Sequence, residues 1–181
     1  MPNVKDRRGA TAGRRIRYVI SKSSLGWVLV AATERGISAI ELGESRRRLR
    51  ADFARRCPTA ELTADDSSLT GWAHDIAAHI DTGRDLKLPL DIQGTAFERR
   101  VWRAMQKTPA GSTTTYSGIA RQIGNPQAAR AVGRACAANR LAVVIPCHRV
   151  VRSDGQLGGY RWGVRWKKSL LERERGGRSG K

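Results

Sequence analysis

Cysteine, acidic side chains and long apolar runs are all scarce in this sequence of 181 residues. Its three cysteines, Cys57, Cys136 and Cys147, are an odd number, so they cannot all pair and a reducing compartment is the simpler interpretation. No apolar run approaches the roughly 20 residues that span a bilayer. Residues 1–17 are polar and basic and lack the apolar segment of a signal peptide. We therefore expect a cytoplasmic protein with no membrane partner.

Recognisable metal-binding patterns are also missing from the sequence. The cysteines lack the spacing of zinc ligands, and His74 and His79 lie five residues apart without further ligands converging on them. We interpret Cys57 and Cys136 as inert buried thiols, because free cysteines usually behave as small buried hydrophobes. The sequence thus predicts no metal site, and nothing in it requires a cofactor.

The scarcity of acidic residues leaves a large excess of positive charge. The sequence has 34 Lys and Arg against 16 Asp and Glu, a formal net charge of +18. Residues 90–181 hold 18 basic and 5 acidic side chains (+13), whereas residues 1–89 hold 16 and 11 (+5). A nucleic acid is the expected partner, since contacts from Lys and Arg to phosphates release counterions. A basic surface that only promotes solubility is the alternative.

Hydrophobic patterning divides the chain into four parts. We predict disordered basic tails at residues 1–15 and 176–181, an N-terminal α/β domain at residues 16–88 and a mostly α-helical domain at residues 89–175. The predicted fold class is therefore an α/β N-terminal lobe, with a short antiparallel sheet and helices, followed by an α-helical C-terminal lobe. The charge balance changes at the boundary between the lobes, near residues 87–93.

The N-terminal part reads as a hairpin followed by two helices. Residues 27–32 and 37–42 are rich in β-forming side chains and flank a turn that ends in Gly36, and residues 16–20 could add a third strand. Apolar side chains at helical spacing predict one helix over residues 45–56 and another after the acidic pair at residues 65–66.

The C-terminal part begins with a capping-box pattern, Thr95 with Glu98, for a helix that Gly111 closes. Ser117 can cap a short helix that ends at Gly124. A second helix at residues 127–138 follows Asn125-Pro126, so the pattern predicts a helix-turn-helix. On this helix and just beyond it, arginines alternate with small residues, which would let the backbone approach a duplex: Arg130, Ala131, Gly133, Arg134 and Arg140.

A cysteine and a histidine follow directly after this helix. The apolar residues 141–145 predict a buried strand that delivers Cys147 and His148. A thiol in apolar surroundings has a raised pKa and needs a base, and His148 can act through a bridging water. A carboxylate would orient the imidazole, and either Glu172 or Glu174 can supply it.

The segment from Ile145 to Val150, with Pro146, Cys147, His148 and Arg149 between, resembles the active-site motif of the O6-alkylguanine-DNA alkyltransferases. Within this family the chain is most similar to the C-terminal half of the bifunctional Ada proteins, so it could be a whole protein or a piece of a longer one. The similarity is strong from Pro89 to Glu174, and its further motifs are Gly94 to Phe97, Val101-Trp102, Tyr116, Gly124 to Pro126, Ala129 to Gly133, Asn139, Gly159-Tyr160, Lys167, Leu170 and Leu171.

The resemblance implies a suicide repair reaction. Cys147 would take the methyl group of O6-methylguanine, and of O4-methylthymine, once per molecule. His148 would accept the thiol proton through water while Glu174 orients it. Asn139 would brace the site, and Tyr116 would stabilise the departing guanine.

The resemblance also implies how a monomer would bind duplex DNA in a bacterial nucleoid. The helix-turn-helix would enter the minor groove, and Arg130 would replace a base that is flipped into the pocket. Thr115 and Ser117 would contact the backbone. Trp162 stands where relatives that accept bulky groups often have a small residue, which predicts a preference for methyl over benzyl. The expected pocket residues are Pro146, Val150, Tyr160, Arg161 and Trp162.

Three other functions fit parts of the pattern. A lesion-binding relative would bind alkylated DNA without accepting the alkyl group, but such proteins usually replace the acceptor cysteine. A cysteine hydrolase could use Cys147, His148 and Glu174, although no oxyanion-hole signature is evident. A transcription regulator could rely on the helix-turn-helix alone.

Overall fold

The computed structural model describes residues 13, 15–65 and 67–176. A four-stranded sheet in the order β3-β2-β1-β4 forms its N-terminal part. The strands are β1 (Arg15–Ser23), β2 (Gly26–Thr33), β3 (Gly36–Gly43) and β4 (Glu61–Ala64). β1, β2 and β3 are antiparallel neighbours, as predicted, whereas β4 pairs in parallel with β1. The sheet is therefore mixed rather than antiparallel, and its fourth strand has only four residues, at the lower limit of the alternation that predicts a strand.

Two helices cover opposite faces of this sheet. α1 (Arg46–Arg56) is capped by Ser45 and buries Leu49 and Phe53 against one face, while α2 (Thr70–Thr82) packs on the other. Successive side chains of a strand point to opposite faces, so each strand feeds both layers. Both predicted helices are confirmed.

The C-terminal part is mostly helical. It contains α3 (Ala96–Gln106), β5 (Thr114–Thr115), α4 (Tyr116–Gln122), α5 (Ala129–Ala138), β6 (Val150–Val151) and α6 (Val164–Gly176). The capping box of Thr95 and Glu98 is present at the start of α3. The helix ends earlier than predicted, at Gln106, and Gly111 lies in the turn beyond it with a φ of 71°.

The helix boundaries around α4 and α5 correct two predictions. Thr115 rather than Ser117 caps α4, because its hydroxyl accepts a 2.9 Å hydrogen bond from the Gly118 amide. A 3₁₀ turn, Pro126–Ala128, comes before α5, so the regular helix starts at Ala129. Gly124 ends α4 with a φ of 73°, as its position predicted.

The predicted strand at residues 141–145 is wrong. Only Leu141 makes a bridge, to Ile40 of β3, and a tight turn follows in which the Ile145 amide donates to the Leu141 carbonyl at 3.0 Å. Val143 has a φ of 62°, which is strained for a β-branched residue. An apolar run of this length does not distinguish a buried strand from a buried turn.

One apolar cluster connects the sheet to the helices of the C-terminal part. It includes Val30 and Ile40 from the strands together with Ile119, Val132 and Leu170. The predicted tails lie outside the described residues apart from Gly13, Arg15, which belongs to β1, and Gly176, which ends α6. Among the described helices, none is long and apolar enough to cross a membrane.

Candidate active site

Cys147 begins a 3₁₀ turn, Cys147–Arg149, that leads directly into β6. β6 pairs in parallel with β5, so Thr115 faces Val151 in the ladder. Tyr116 starts α4 immediately after β5 and is thereby brought beside the cysteine loop. The thiol is buried, with Cys147 only 4% exposed.

Asn139 holds the loop and the sulfur together. Its amide oxygen accepts from the Leu141 amide at 2.8 Å, and its Nδ2 donates to the Ile145 carbonyl at 2.9 Å. The same Nδ2 lies 3.2 Å from Cys147 Sγ and donates to it. Asn139 is fully buried at the end of α5, so the helix and the cysteine loop are fixed relative to each other.

Burial raises the pKa of the Cys147 thiol to about 11, and the hydrogen bond from Asn139 and the charge of Lys167 only partly offset this. The thiol is therefore protonated at neutral pH and requires a base before it can act as a nucleophile.

His148, the residue after the cysteine, is hydrogen-bonded to a carboxylate. His148 Nε2 lies 2.7 Å from Glu174 Oε1, and the imidazole is 1% exposed. Burial lowers the pKa of His148 despite the hydrogen bond that it donates to Glu174, so the ring is neutral at neutral pH. Of the two carboxylates that the sequence left open, Glu174 meets the histidine, whereas Glu172 is 60% exposed and pairs with Lys168 at 3.8 Å.

Glu174 is also held by groups for which the sequence indicated no role. Arg149 donates to both of its carboxylate oxygens, at 2.8 to 3.1 Å, and the Gly111 amide donates to Oε2 at 3.0 Å. These bonds and the imidazole lower the pKa of Glu174 to about 2, against the opposing effect of burial. The group is a carboxylate throughout the physiological range.

This charge state fixes the tautomer of the imidazole. Because Glu174 can only accept, Nε2 of His148 carries the proton and Nδ1 has a free lone pair. Nδ1 is buried and has no hydrogen-bond partner among the described residues. The orphaned acceptor is the atom that a general base requires.

Cys147 lines a cavity of about 260 Å³ between α5 and the loop before α6. Tyr116 and Tyr160 stand on its walls, and the burial of each ring raises the pKa of its hydroxyl, so both remain donors. The full lining is Tyr116, Gly133, Cys136, Ala137, Cys147, Gly159, Tyr160 and Arg161.

Three predicted pocket residues do not line this cavity. Pro146 and Val150 are buried beside Cys147 in the chain, and Trp162 packs edge-on against Tyr160 with ring centroids 5.0 Å apart. Arg161 lines the cavity with its stem, while its Nη1 donates to the Ala137 carbonyl at 3.0 Å.

Lys167 is fully buried, an unusual place for a lysine. Its Nζ donates to the carbonyl of Val150 at 2.5 Å and reaches that of Gly159 at 3.4 Å. It thus ties the cysteine loop to the pocket loop and adds positive charge near the thiol. The one available signal was a lysine within the apolar stripe of α6.

Of the predicted DNA-contacting residues, Gly133 lines the cavity, and the others lie on α5, just beyond it and at the start of α4. Arg130 and Arg134 are exposed on α5, whereas Arg140 is half-buried beyond its end. A Cβ on Gly133 would meet no atom nearer than Tyr116 Cδ1 at 4.0 Å, so this side of the helix is open. Thr115 and Ser117 share a 3.0 Å hydrogen bond at the start of α4. Within the described residues, no three His, Cys, Asp or Glu side chains are grouped as metal ligands.

Comparison with known proteins identifies similar chains. Residues 96–176 match the family model of the 6-O-methylguanine DNA methyltransferase DNA-binding domain. The chain is 47% identical over 161 residues to the bifunctional transcriptional activator/DNA repair enzyme Ada of Escherichia coli, covering 88% of this chain. It spans only 45% of the length of that relative.

Two further relatives match over most of their length. The inducible methylated-DNA–protein-cysteine methyltransferase of Bacillus subtilis is 36% identical, with 87% of this chain and 84% of the relative covered. The crystal structure of Mycobacterium tuberculosis OGT in complex with DNA superposes with a TM-score of 0.76 at 33% identity, covering 88% and 93% of the two chains.

Proposed function

The chain belongs to the methylated-DNA–protein-cysteine methyltransferase family, and from this premise we propose that it repairs O6-methylguanine in duplex DNA by accepting the methyl group on Cys147. The observation that carries the proposal is a buried thiol that lines a cavity and accepts a hydrogen bond from Asn139. The next residue, His148, is neutral and has a free Nδ1. O4-methylthymine is a further expected substrate, since it presents the same alkyl–oxygen bond.

Proton transfer comes first. A water molecule between Cys147 Sγ and His148 Nδ1 would carry the thiol proton to the imidazole, whose positive charge the Glu174 carboxylate would stabilise. The Asn139 amide and the buried ammonium of Lys167 would stabilise the thiolate. The proton would stay on His148 and not pass on to Glu174, because the pKa of Glu174 is too low for it to accept the proton.

The thiolate then displaces guanine from the methyl carbon. The C–S bond forms as the C–O6 bond breaks, and the electron pair passes to the guanine ring. The Tyr116 hydroxyl would stabilise the resulting anion by donating to N3, and the proton held by the imidazolium, returned by way of solvent, would restore guanine within the DNA. The thioether has no good leaving group, so one molecule would repair one lesion.

The base must leave the stack before it reaches the cysteine. We assign this step to the helix-turn-helix of α4 and α5, which would enter the minor groove with Arg130 filling the gap in the stack. Arg134, Arg140, Thr115 and Ser117 would contact the phosphate backbone. Ala131 and the open side of Gly133 would permit close approach.

Trp162 suggests the range of substrates. It packs edge-on against the wall residue Tyr160, and this contact would restrict the movement of the wall. A narrow pocket would accept methyl and exclude benzyl, so O6-benzylguanine should inactivate the protein slowly. We further propose that the chain acts as a monomer in the cytoplasm, associated with the nucleoid through DNA, and that its site-bearing domain spans residues 89–175.

The test is incubation with excess duplex oligonucleotide that contains one O6-methylguanine. The expected result is one added methyl per protein, located by peptide mass on Cys147, with repair ending at stoichiometry. Cys147→Ser is the matched control, because it should bind the duplex without gaining mass.

Other outcomes assign other functions. Binding without mass gain by the unaltered protein would indicate a lesion-binding relative. Repeated turnover of an ester or amide would indicate a hydrolase. Sequence-specific binding of undamaged DNA without methyl transfer would indicate a regulator.

A further inference from the structure

A buried carboxylate of the sheet reaches the loop that forms the pocket wall. Glu41 on β3 is 2% exposed, and its Oε2 accepts a 2.7 Å hydrogen bond from Trp162 Nε1. The two residues are 121 positions apart in the sequence. A buried carboxylate is costly unless other groups satisfy it, so the partners of Glu41 determine whether it can occupy this position.

The other partners of Glu41 come from two further elements. Arg56, the last residue of α1, lies 3.1 Å from the same oxygen and is 33% exposed. Arg161 Nε lies at 4.0 Å, and its Nη1 holds the Ala137 carbonyl on α5. The carboxylate therefore joins the sheet, α1, α5 and residues 161–162 at one point.

The geometry leads from Glu41 to the cavity in two contacts. Trp162, held by Glu41, packs edge-on against Tyr160, and Tyr160 lines the cavity that contains Cys147. Arg161, restrained by Glu41 and Ala137, lines the same cavity. Neither contact lies on the route of the thiol proton or of the leaving base.

We propose that Glu41 is a positioning residue that sets the width of the alkyl pocket by holding Trp162 against Tyr160 and Arg161 in the cavity wall. This inference rests on the proposed methyl transfer. Without the carboxylate, the indole loses its acceptor and the Tyr160 wall can recede, so larger alkyl groups gain access, while the bonds of Asn139 to Cys147 and of His148 to Glu174 do not involve Glu41.

The test compares two rate constants in Glu41→Leu: inactivation by O6-benzylguanine and methyl transfer from the duplex. The ratio of benzyl to methyl rates should rise by about tenfold, the size expected when one pocket contact is removed. Glu41→Gln keeps an amide oxygen for the indole N–H, so its ratio should stay near that of the unaltered protein.

Glu44→Gln is the matched control. Glu44 lies just beyond β3 and pairs with Arg165 at 3.0 Å, but both side chains are exposed, at 72% and 84%. Its ratio should not change. Trp162→Phe tests the same hydrogen bond from its other end, should raise the ratio on its own, and should leave Glu41→Leu with little additional effect.

The indole N–H resonance of Trp162, assigned by its loss in Trp162→Phe, gives a readout apart from activity. It should shift in Glu41→Leu and be retained in Glu41→Gln. An unchanged ratio of benzyl to methyl rates in both Glu41→Leu and Trp162→Phe would overturn the inference. It would also be overturned if Glu41→Leu raised this ratio as much in the Trp162→Phe background as in the unaltered protein. If Glu41→Leu does not fold, Trp162→Phe alone decides. Failure of the unaltered protein to accept methyl from the duplex would instead overturn the proposed function.

Discussion

At the scale of single residues, the site needs both an anion and a neutral nitrogen base, and two different side chains provide them. Glu174 must remain an anion to fix the tautomer of His148, and Arg149 and the Gly111 amide ensure this. In the proposed reaction His148 acts as a base and must be neutral, and burial lowers its pKa accordingly. Asn139 adds a donor at the sulfur, so each group near Cys147 has one defined protonation state.

Glu174→Gln should slow methyl transfer by about 100-fold or more, the usual contribution of general acid–base catalysis. The amide can donate to Nε2 of His148, which would place the imidazole proton on Nδ1 and remove the base. Single-turnover rates on the O6-methylguanine duplex measure the effect. Glu172→Gln, at an exposed position two residues away, should react at the normal rate; equal losses in both variants would contradict the assignment.

At the scale of elements, the caps and the loops set the positions of these residues. α3 is fixed at its start by the Thr95–Glu98 capping box and packs against α5 through a 2.9 Å hydrogen bond from Trp102 Nε1 to the Ala135 carbonyl. α5 in turn ends at Asn139. A capping residue far from the site in sequence therefore contributes to the geometry around the thiol.

Thr95→Ala should lower the free energy of unfolding by about 1 kcal/mol, because the hydroxyl's bonds to the Glu98 amide and carboxylate are lost, while the backbone amide of residue 95 can still donate to Glu98. Urea denaturation provides the measurement. Ser45→Ala on α1 is the comparison: its single capping bond to the Arg48 amide is long, at 3.4 Å, so its loss should be smaller. A larger loss in Ser45→Ala would contradict the view that the Thr95 hydroxyl is the stronger cap.

Arg130→Ala should slow methyl transfer from duplex DNA at least tenfold, roughly 1.4 kcal/mol of barrier, while reaction with a single-stranded oligonucleotide changes little. The reason is that only a stacked base requires a side chain to fill its place. Rates on the two substrates, measured in parallel, give the ratio. The control is Arg121→Ala, which changes an exposed arginine on the neighbouring α4. If Arg130→Ala slowed the reaction equally on the duplex and on the single-stranded oligonucleotide, base replacement by Arg130 would be contradicted.

At the scale of the whole molecule, the sheet and the helical part share one apolar cluster and a set of polar contacts between them. Glu41 meets Trp162 and Arg161, Ile40 bridges to Leu141, and both involve β3. The sheet thus supports the pocket loop and the segment before Cys147, although it supplies no atom to the reaction as proposed.

Acid should destabilise the fold through Glu174 and His148, which are hydrogen-bonded to each other. Glu174 has a folded pKa of about 2, below its ordinary 4.5, so the unfolded chain binds the proton first and stability is lost as pH falls from 4.5 to 2. The loss is on the order of 3 kcal/mol from these two pKa values. The lowered pKa of His148 acts in the same direction below pH 6.5.

Urea unfolding at a series of pH values measures this dependence. Glu174→Gln should start from lower stability at pH 7 and show a shallower decline between pH 4.5 and 2, with the remaining slope coming from groups such as Asp91. The Glu172→Gln variant should follow the unaltered protein. An unchanged slope in Glu174→Gln would show that its pKa is not lowered in the folded state.

The sequence by itself determined the local features. The hairpin, the helices and the capping box follow from side-chain periodicity and capping chemistry, which act over a few residues. The Cys147-His148 motif and the excess of positive charge indicated a thiol chemistry on DNA. The four-residue β4 was missed because it is short, and the strand predicted at residues 141–145 was wrong because an apolar run fits a buried turn as well as a buried strand.

Only the tertiary structure decided which distant groups meet. It chose Glu174 over Glu172 because the pitch of α6 turns one toward His148 and the other toward solvent. It added Arg149 and Lys167 to the site and joined Glu41 to Trp162 across the sheet, contacts between residues separated by up to 121 positions. Such contacts depend on how the layers pack, and no local pattern in the sequence encodes them.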